Sequence, residues 1–260
     1  MENFKHRYFT CVSPDNPHST VYHGADTPEN FNKKYTGPNF TYNFNNLGFR
    51  GEEIDAISPA MVSFGPSLSA GYGVPQELRY GDLVANNNNL KHFSFGGHGG
   101  DSLTILNNIN SFFLNNKENI NVKFISVMWP DTSRFSFYNK ETNPLFISSI
   151  GVGFPTLTKE QENFMLYWTT NVSELYTIEM ARSVDLLCKS HNIPCVQLCH
   201  TEMTIAKNFK IDSLYFDKDW YIWNLLRYED RGRDNHPGIK THQNIADLIN
   251  EIIDSKQLLQ

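Results

Sequence analysis

The 260-residue sequence predicts an α/β fold in which one parallel sheet is covered by helices on both faces. Short apolar runs bounded by glycine or proline alternate with helix-period segments, and one of those runs is apolar almost from end to end. Parallel strands need crossovers, and right-handed crossovers put helices on both faces of the sheet. A strand covered on both faces reads as a nearly continuous apolar run.

Residues 1–44 are rich in Asn, Pro, Gly and Tyr without a period and read as an irregular N-terminal arm, leaving 45–260 as the folded domain. "AMVSFG" (60–65) is the first strand, expected at the centre of the sheet, and "VPQELRYGDLVANN" follows with helical spacing of Leu78, Leu83 and Val84. "HFSF" (92–95) is the second strand and "GGHGG" a tight loop. "DSLTILNNINSFFL" is a helix that Asp101 caps, with Leu103, Leu106, Ile109 and Phe113 toward the core. "NVKFISVMW" (121–129) is the third strand, the one with nearly unbroken apolar content. Residues 158–191 read as one long helix kinked near 169–171, and "IPCVQLC" (193–199) as the fourth strand. "GIKTHQNIADLINEIIDS" closes the domain as an amphipathic helix with Ile245, Leu248, Ile249 and Ile252 on one side. The insertion "RFSFYNKETNPLFISSIGVGFPTL" (134–157) suits a lid or an assembly surface.

Bulk properties narrow the function. A net charge of −6 with scattered cations offers no basic field for a polyanion, so nucleic acid is not an expected partner. The first thirty residues lack an apolar signal core, and no run of about 18 apolar residues occurs. Neither a standard secretion signal nor a membrane partner is therefore expected, and the expected location is the cytoplasm or a virion. Cys11, Cys188, Cys195 and Cys199 form no CxxC and read as reduced core thiols. Heavy use of Asn, Lys, Tyr and Phe suits an AT-rich coding sequence, viral or bacterial, and carries no mechanism.

Ligands of open parallel sheets bind beyond the carboxyl ends of the strands. "SFGPSLSAGYGV" (63–74) follows the first strand, "GGHGG" the second and "PDTSR" (130–134) the third, so three polar or glycine-rich loops converge on one edge. Ser67 stands where the first of them turns. A serine hydroxyl becomes a useful nucleophile only when a base takes its proton and a third group orients that base. Of nine histidines, His236 has the right company in "RGRDNHPGIKTH" (231–242), with Asp234 two residues earlier and Pro237 opening the last helix. His236, rather than His98, His200 or His242, is expected to face Ser67, and His200 in "HTEMT" is the decoy beyond the fourth strand. His98 and Asp101 lack partners at metal-ligand spacing, GxGxxG fails at Ser102, and no Gly-Lys-[Ser/Thr] occurs, so neither metal nor cofactor is expected. The Gly-x-Ser-x-Gly elbow of α/β-hydrolases fails because Ser69 occupies its last glycine position.

These motifs resemble the SGNH/GDSL hydrolase family over roughly 45–255. "FGPSLSAGYGV" resembles its first block, Gly-Asp-Ser-x-[Ser/Thr]-x-Gly, with Pro66 in the aspartate position. "NNLGFRGEE" (45–53) resembles the Asn-x-x-Gly-x-Arg lead-in, "GGHGGDSL" the second block with Gly97 and Gly100 at the matching positions, and "RDNHPGIKTHQNIADLI" the last block. The resemblance implies a three-layer α/β/α sandwich with a flavodoxin-like sheet, and a serine ester hydrolase for a small acyl ester such as a carbohydrate O-acetyl ester. It implies Ser67 as nucleophile, His236 as base, Asp234 as its orienting acid, and the Ser67 and Gly100 amides as oxyanion donors. Besides Pro66, two positions depart from the pattern: the usual acid position, three before the histidine, holds Arg233, so that either Asp234 takes that role or His236 is the base of a dyad, and "VMWPDTSRF" lacks the third-block asparagine. A missing oxyanion donor costs about 2.7–4 kcal/mol of transition-state stabilisation unless Arg134, Thr132 or Ser133, in that order, replaces it. The alternative these departures leave is a non-catalytic structural or carbohydrate-binding protein on the same fold. Trp220 and Trp223 in "LYFDKDWYIWNLLRY" (214–228) are candidate sugar-stacking surfaces, whereas Met165, Tyr167, Trp168 and Tyr176 read as core. The oligomeric state is not legible.

Overall fold

The computed structural model describes residues 8, 10–13, 16–24, 26–97, 99–115, 117–138, 145–148, 159–168, 172–215, 230–234 and 236–259. Its strands, in chain order, are β1 (Ser19–Thr20), β2 (Tyr42–Asn43), β3 (Pro59–Gly65), β4 (Lys91–Gly96), β5 (Asn121–Trp129), β6 (Phe135–Tyr138), β7 (Leu145–Ser148), β8 (Cys195–Cys199) and β9 (Leu214–Tyr215). The helices are α1 (Ser67–Ala70), α2 (Tyr80–Asn87), α3 (Ser102–Asn115), α4 (Lys159–Tyr167), α5 (Ser173–Ser190) and α6 (Ile239–Lys256).

The four apolar runs and β9 pair in parallel as β4-β3-β5-β8-β9. Counted along the sheet strands alone, this is the doubly wound order 2-1-3-4-5, with its switch point between β3 and β5. The first strand is flanked on both sides, but the middle place belongs to β5, whose last six residues are all buried. That corrects the expectation of a central first strand, and the reason was present in the apolar length of 121–129. The fourth strand starts later than expected, because Pro194 ends the approach and Cys195 begins the ladder.

Alternate side chains of each strand enter different cores. Val62, Phe64, Ile125, Val127 and Trp129 pack with Ile105, Ile109 and Phe112 of α3 and with Ile178 and Val184 of α5. Met61, Phe124, Met128, Val196 and Leu198 pack on the other side against Tyr80 and Val84 of α2 and Ile245, Ile249 and Ile252 of α6. The fold is thus the three-layer sandwich. On α3 the buried line is Ile105–Ile109–Phe112, with Leu106 and Phe113 flanking it and Leu103 37% exposed. The expected face was therefore rotated, with Ser102, Thr104 and Ile105 buried in the first turn while Leu103 points outward. Asp101 does cap the helix, accepting the Thr104 N–H at 2.8 Å.

The long helix of 158–191 is two helices, α4 and α5, and 169–171 lie outside the described residues. Within the expected lid, β6 and β7 pair antiparallel. The arm contributes a two-residue antiparallel ladder, β1 with β2. No helix among the described residues is long and apolar enough to cross a membrane.

His242 joins α6 to α2, its Nδ1 accepting the Tyr80 N–H at 3.1 Å in a fully buried position. Burial, aided by Arg79 and Arg50, pulls its pKa down to about 3. An unfolded histidine takes its proton near pH 6.5, so below that pH the unfolded chain binds a proton the folded chain refuses. Stability should therefore fall as pH drops from about 6.5 toward 3, by up to about 1.4 kcal/mol per pH unit from this residue. Denaturant titrations at pH 7 and pH 5 check this: His242→Gln should show a smaller stability difference between the two than wild type.

Candidate active site

The chain leaves β3 at Gly65, turns at Pro66, and starts α1 with Ser67. A side chain at residue 65 would bring its Cβ within 2.1 Å of Ser69 Oγ, so glycine is required for the strand to meet the helix this closely. Pro66 O accepts the amides of Ser69 at 2.9 Å and Ala70 at 3.2 Å, and Ser69 Oγ bonds the Tyr80 hydroxyl at 2.8 Å. Ser67 is left 8% exposed at the carboxyl edge of the sheet.

The lead-in segment explains itself physically. Asn45 Oδ1 accepts the amides of Leu47 at 3.1 Å and Phe49 at 3.0 Å, closing a turn that sends Arg50 under α1. The Arg50 guanidinium donates to Gly71 O and, at 2.8 Å, to Val74 O, while Arg79 Nη1 donates to Arg50 O at 2.9 Å. Burial and the neighbouring Arg79 lower the Arg50 pKa to about 10, and it still holds its proton at neutral pH. Carbonyls at the end of α1 are thereby satisfied by two buried arginines.

The second half of the site is the loop before α6. Gly232 N donates to His236 O at 2.7 Å, Gly238 N to Asp230 O at 3.0 Å, and Thr241 N to Asp230 Oδ2 at 2.6 Å, which closes the loop on itself. His236 Nε2 lies 3.0 Å from Ser67 Oγ, and its Nδ1 lies 2.7 Å from Asp234 Oδ2. Asp234 Oδ1 also accepts the His236 amide at 3.1 Å. The Asp234 carboxylate has no solvent exposure and the imidazole 23%, so solvent reaches this trio by way of the imidazole edge. An ionised carboxylate only accepts, so Nδ1 carries the proton and the Nε2 lone pair faces the serine hydroxyl. That arrangement can draw a proton from Ser67 and hold the resulting imidazolium.

The two halves meet at Gly73. Its φ is +79°, its carbonyl accepts the Arg233 amide at 2.8 Å, and a Cβ there would lie 2.1 Å from Asp234 Oδ1. A Cβ on Gly232 would lie 2.7 Å from Gly73 O.

Other expected residues stand on neighbouring loops. Gly100 is buried just before α3. After β5, Arg134 N donates to Asp131 O at 3.1 Å, Ser133 N to Asp131 Oδ1 at 2.8 Å, and Trp168 Nε1 to Thr132 O at 3.1 Å. Burial lowers the Arg134 pKa against the opposing pull of Asp131 and Asp101. His200 donates its amide to Trp129 O at 2.9 Å, and burial with Arg134 beside it lowers its pKa to about 4, so its ring stays neutral at pH 7. His98, Trp220 and Trp223 lie outside the described residues. Tyr176 packs on the core and Trp168 is half-buried, but Tyr167, the last residue of α4, is 61% exposed, against the core reading. Sequence reasoning missed Asp26, Tyr42 and Tyr72 around the His236 loop, because arm residues carry no periodic or spacing signal toward it. No group of three or more His, Cys, Asp or Glu among the described residues could hold a metal ion.

Gly73→Ala tests the close approach. Forcing a side chain into a left-handed backbone costs about 1–2 kcal/mol before any steric clash. Denaturant unfolding should show at least that loss, and a crystal structure of the variant should show Asp234 displaced and the Ser67–His236 bond lengthened.

No family model and no curated protein matches the chain. Among solved structures it is similar to an acetyl xylan esterase from the rumen bacterium Butyrivibrio proteoclasticus, at 13% identity over 82% of this chain and 68% of the other, with a TM-score of 0.48. It is also similar to a psychrotrophic esterase from Pseudoalteromonas sp., at 13% identity over 76% of this chain and 98% of the other, with a TM-score of 0.43. A lipolytic protein of the G-D-S-L family from Desulfitobacterium hafniense gives 10% identity, 75% and 99% coverage, and a TM-score of 0.42. At such scores these likenesses assign no role to any residue, and the chemistry rests on the geometry of this chain.

Proposed function

We propose that the protein is a serine ester hydrolase for a small acyl ester, with Ser67 as nucleophile, His236 as general base and then acid, and Asp234 as the orienting carboxylate. The observation that carries the reading is the pair of bonds on one imidazole, 3.0 Å to Ser67 Oγ and 2.7 Å to Asp234 Oδ2. Ser67 Oγ attacks the ester carbonyl as its proton passes to His236 Nε2, giving a tetrahedral oxyanion. His236 returns that proton to the departing alcohol, leaving an acyl group on Ser67 Oγ. Water, deprotonated by His236, attacks the acyl carbonyl; Ser67 leaves with the proton and the acid is released.

The oxyanion is assigned the Ser67 and Gly100 amides and a side chain from the loop after β5, Arg134 ahead of Thr132. Arg134 is the preferred third donor because it is charged at neutral pH, long and partly buried, with the Asp131 and Asp101 carboxylates favouring its charge. A carbohydrate O-acetyl ester is the substrate class assigned first, with Trp220 and Trp223, just ahead of the His236 loop in sequence, as stacking surfaces.

Hydrolysis of p-nitrophenyl acetate tests the reading. Ser67→Ala should lose about 10⁶-fold in kcat, and Asp234→Asn about 10⁴-fold through the wrong imidazole tautomer. Arg134→Ala should lower kcat by about 10²–10³-fold with little change in KM, since its contact would strengthen only as charge develops. Wild-type turnover no faster than Ser67→Ala would reject the hydrolase and favour the non-catalytic reading that Pro66 and the absent third-block asparagine suggest.

A further inference from the structure

We infer that Asp26, in the N-terminal arm, is a positioning residue that sets the Asp234 carboxylate against His236 by way of Arg233 and Tyr42. The inference rests on the hydrolase reading for its kinetic consequence, though not for its structural one. Asp26 is fully buried, and its two oxygens take Arg233 Nε at 3.0 and 2.8 Å. Arg233 Nη2 reaches Asp26 Oδ2 at 2.6 Å, and the Tyr42 hydroxyl donates to the same oxygen at 2.7 Å. The Tyr42 oxygen in turn accepts the Gly73 amide at 2.8 Å, and Gly73 O accepts the Arg233 amide at 2.8 Å. Asp26, Arg233, Gly73 and Tyr42 thus form a closed circuit, and Asp234 is the residue that follows Arg233 and lies against Gly73.

The arm adds further ties. Asn32 N donates to Arg233 O at 2.7 Å, Val21 O and Phe40 O accept from the Arg233 guanidinium, and the Phe40 ring lies 4.0 Å from its centre. His23 stacks on Tyr72, whose ring centroid is 5.8 Å from that of His236. A buried ion pair contributes little net stability compared with apolar groups of the same shape, and its attested use is to fix geometry. Here the geometry it fixes is that of the neighbouring carboxylate. The position where the sequence pattern placed an acid holds Arg233, which serves Asp26 while Asp234 turns to the imidazole.

The test separates positioning from folding. Asp26→Asn alone leaves Arg233 buried without its counter-charge and should lower Tm. The double variant Asp26→Asn/Arg233→Met removes both charges and should recover much of that Tm, while Tyr42→Phe deletes one hydroxyl only. In both of these folded variants kcat for p-nitrophenyl acetate should fall about 10²-fold with KM unchanged, the cost of a roughly 1 Å misplacement. The low-field proton resonance of His236 Nδ1–H, present in wild type and lost in Asp234→Asn, should weaken or move in the same variants. That signal needs no substrate, so its loss supports the positioning role even if wild type hydrolyses no ester. Wild-type resonance in folded Tyr42→Phe and in the folded double variant would overturn the inference, as would wild-type kcat in both where wild type is active.

Discussion

Two backbone segments some 160 residues apart touch at Gly73 and Gly232–Asp234, and the site exists only because they do. Arg233 N reaches Gly73 O at 2.8 Å, and neither glycine leaves room for a methyl group. Ser67 is six residues before one side of this contact and His236 three residues after Arg233 on the other. The 3.0 Å separation of Ser67 Oγ and His236 Nε2 is therefore the read-out of a backbone fit rather than of flexible side chains finding each other.

That fit is supported from three directions. The parallel sheet brings the ends of β3, β4 and β5 to one edge, as the doubly wound order requires. At the end of α1, Arg50 and Arg79 both reach Ala70 O, and Arg50 also donates to Gly71 O and Val74 O in the turn that follows. Behind the His236 loop, the arm closes a buried polar network around Arg233. Such a network is stable only when fully satisfied, and Asp26, Tyr42, Gly73 and Arg233 each have a hydrogen-bond partner within it. The arm therefore supports this contact as the sheet does, although none of its described residues pairs with a sheet strand.

Much of the fold was legible because burial on two faces leaves an unmistakable mark. The run 121–129 is apolar nearly throughout and became β5 with those same ends. Helix α3 was legible in extent but not in rotation: with apolar residues on both Ile105–Ile109 and Leu106–Phe113 lines, periodicity alone does not choose between them. β9 is two residues long and carries no alternation to read. For the site, Ser67 and the Asp234–His236 pair sit in short contiguous motifs, and the structure sets their atoms within hydrogen-bond distance of one another. The Asp26–Arg233 pair spans 207 residues, and nothing in one sequence couples the two.

The central claim is that Ser67 is an activated nucleophile, and reaction with an organophosphonate ester tests it without knowledge of the natural substrate. Intact-mass and peptide mapping should find one adduct per chain on Ser67, absent in Ser67→Ala and formed far more slowly in His236→Ala. A natively folded protein that takes no adduct, or takes it on a different serine, would contradict the claim.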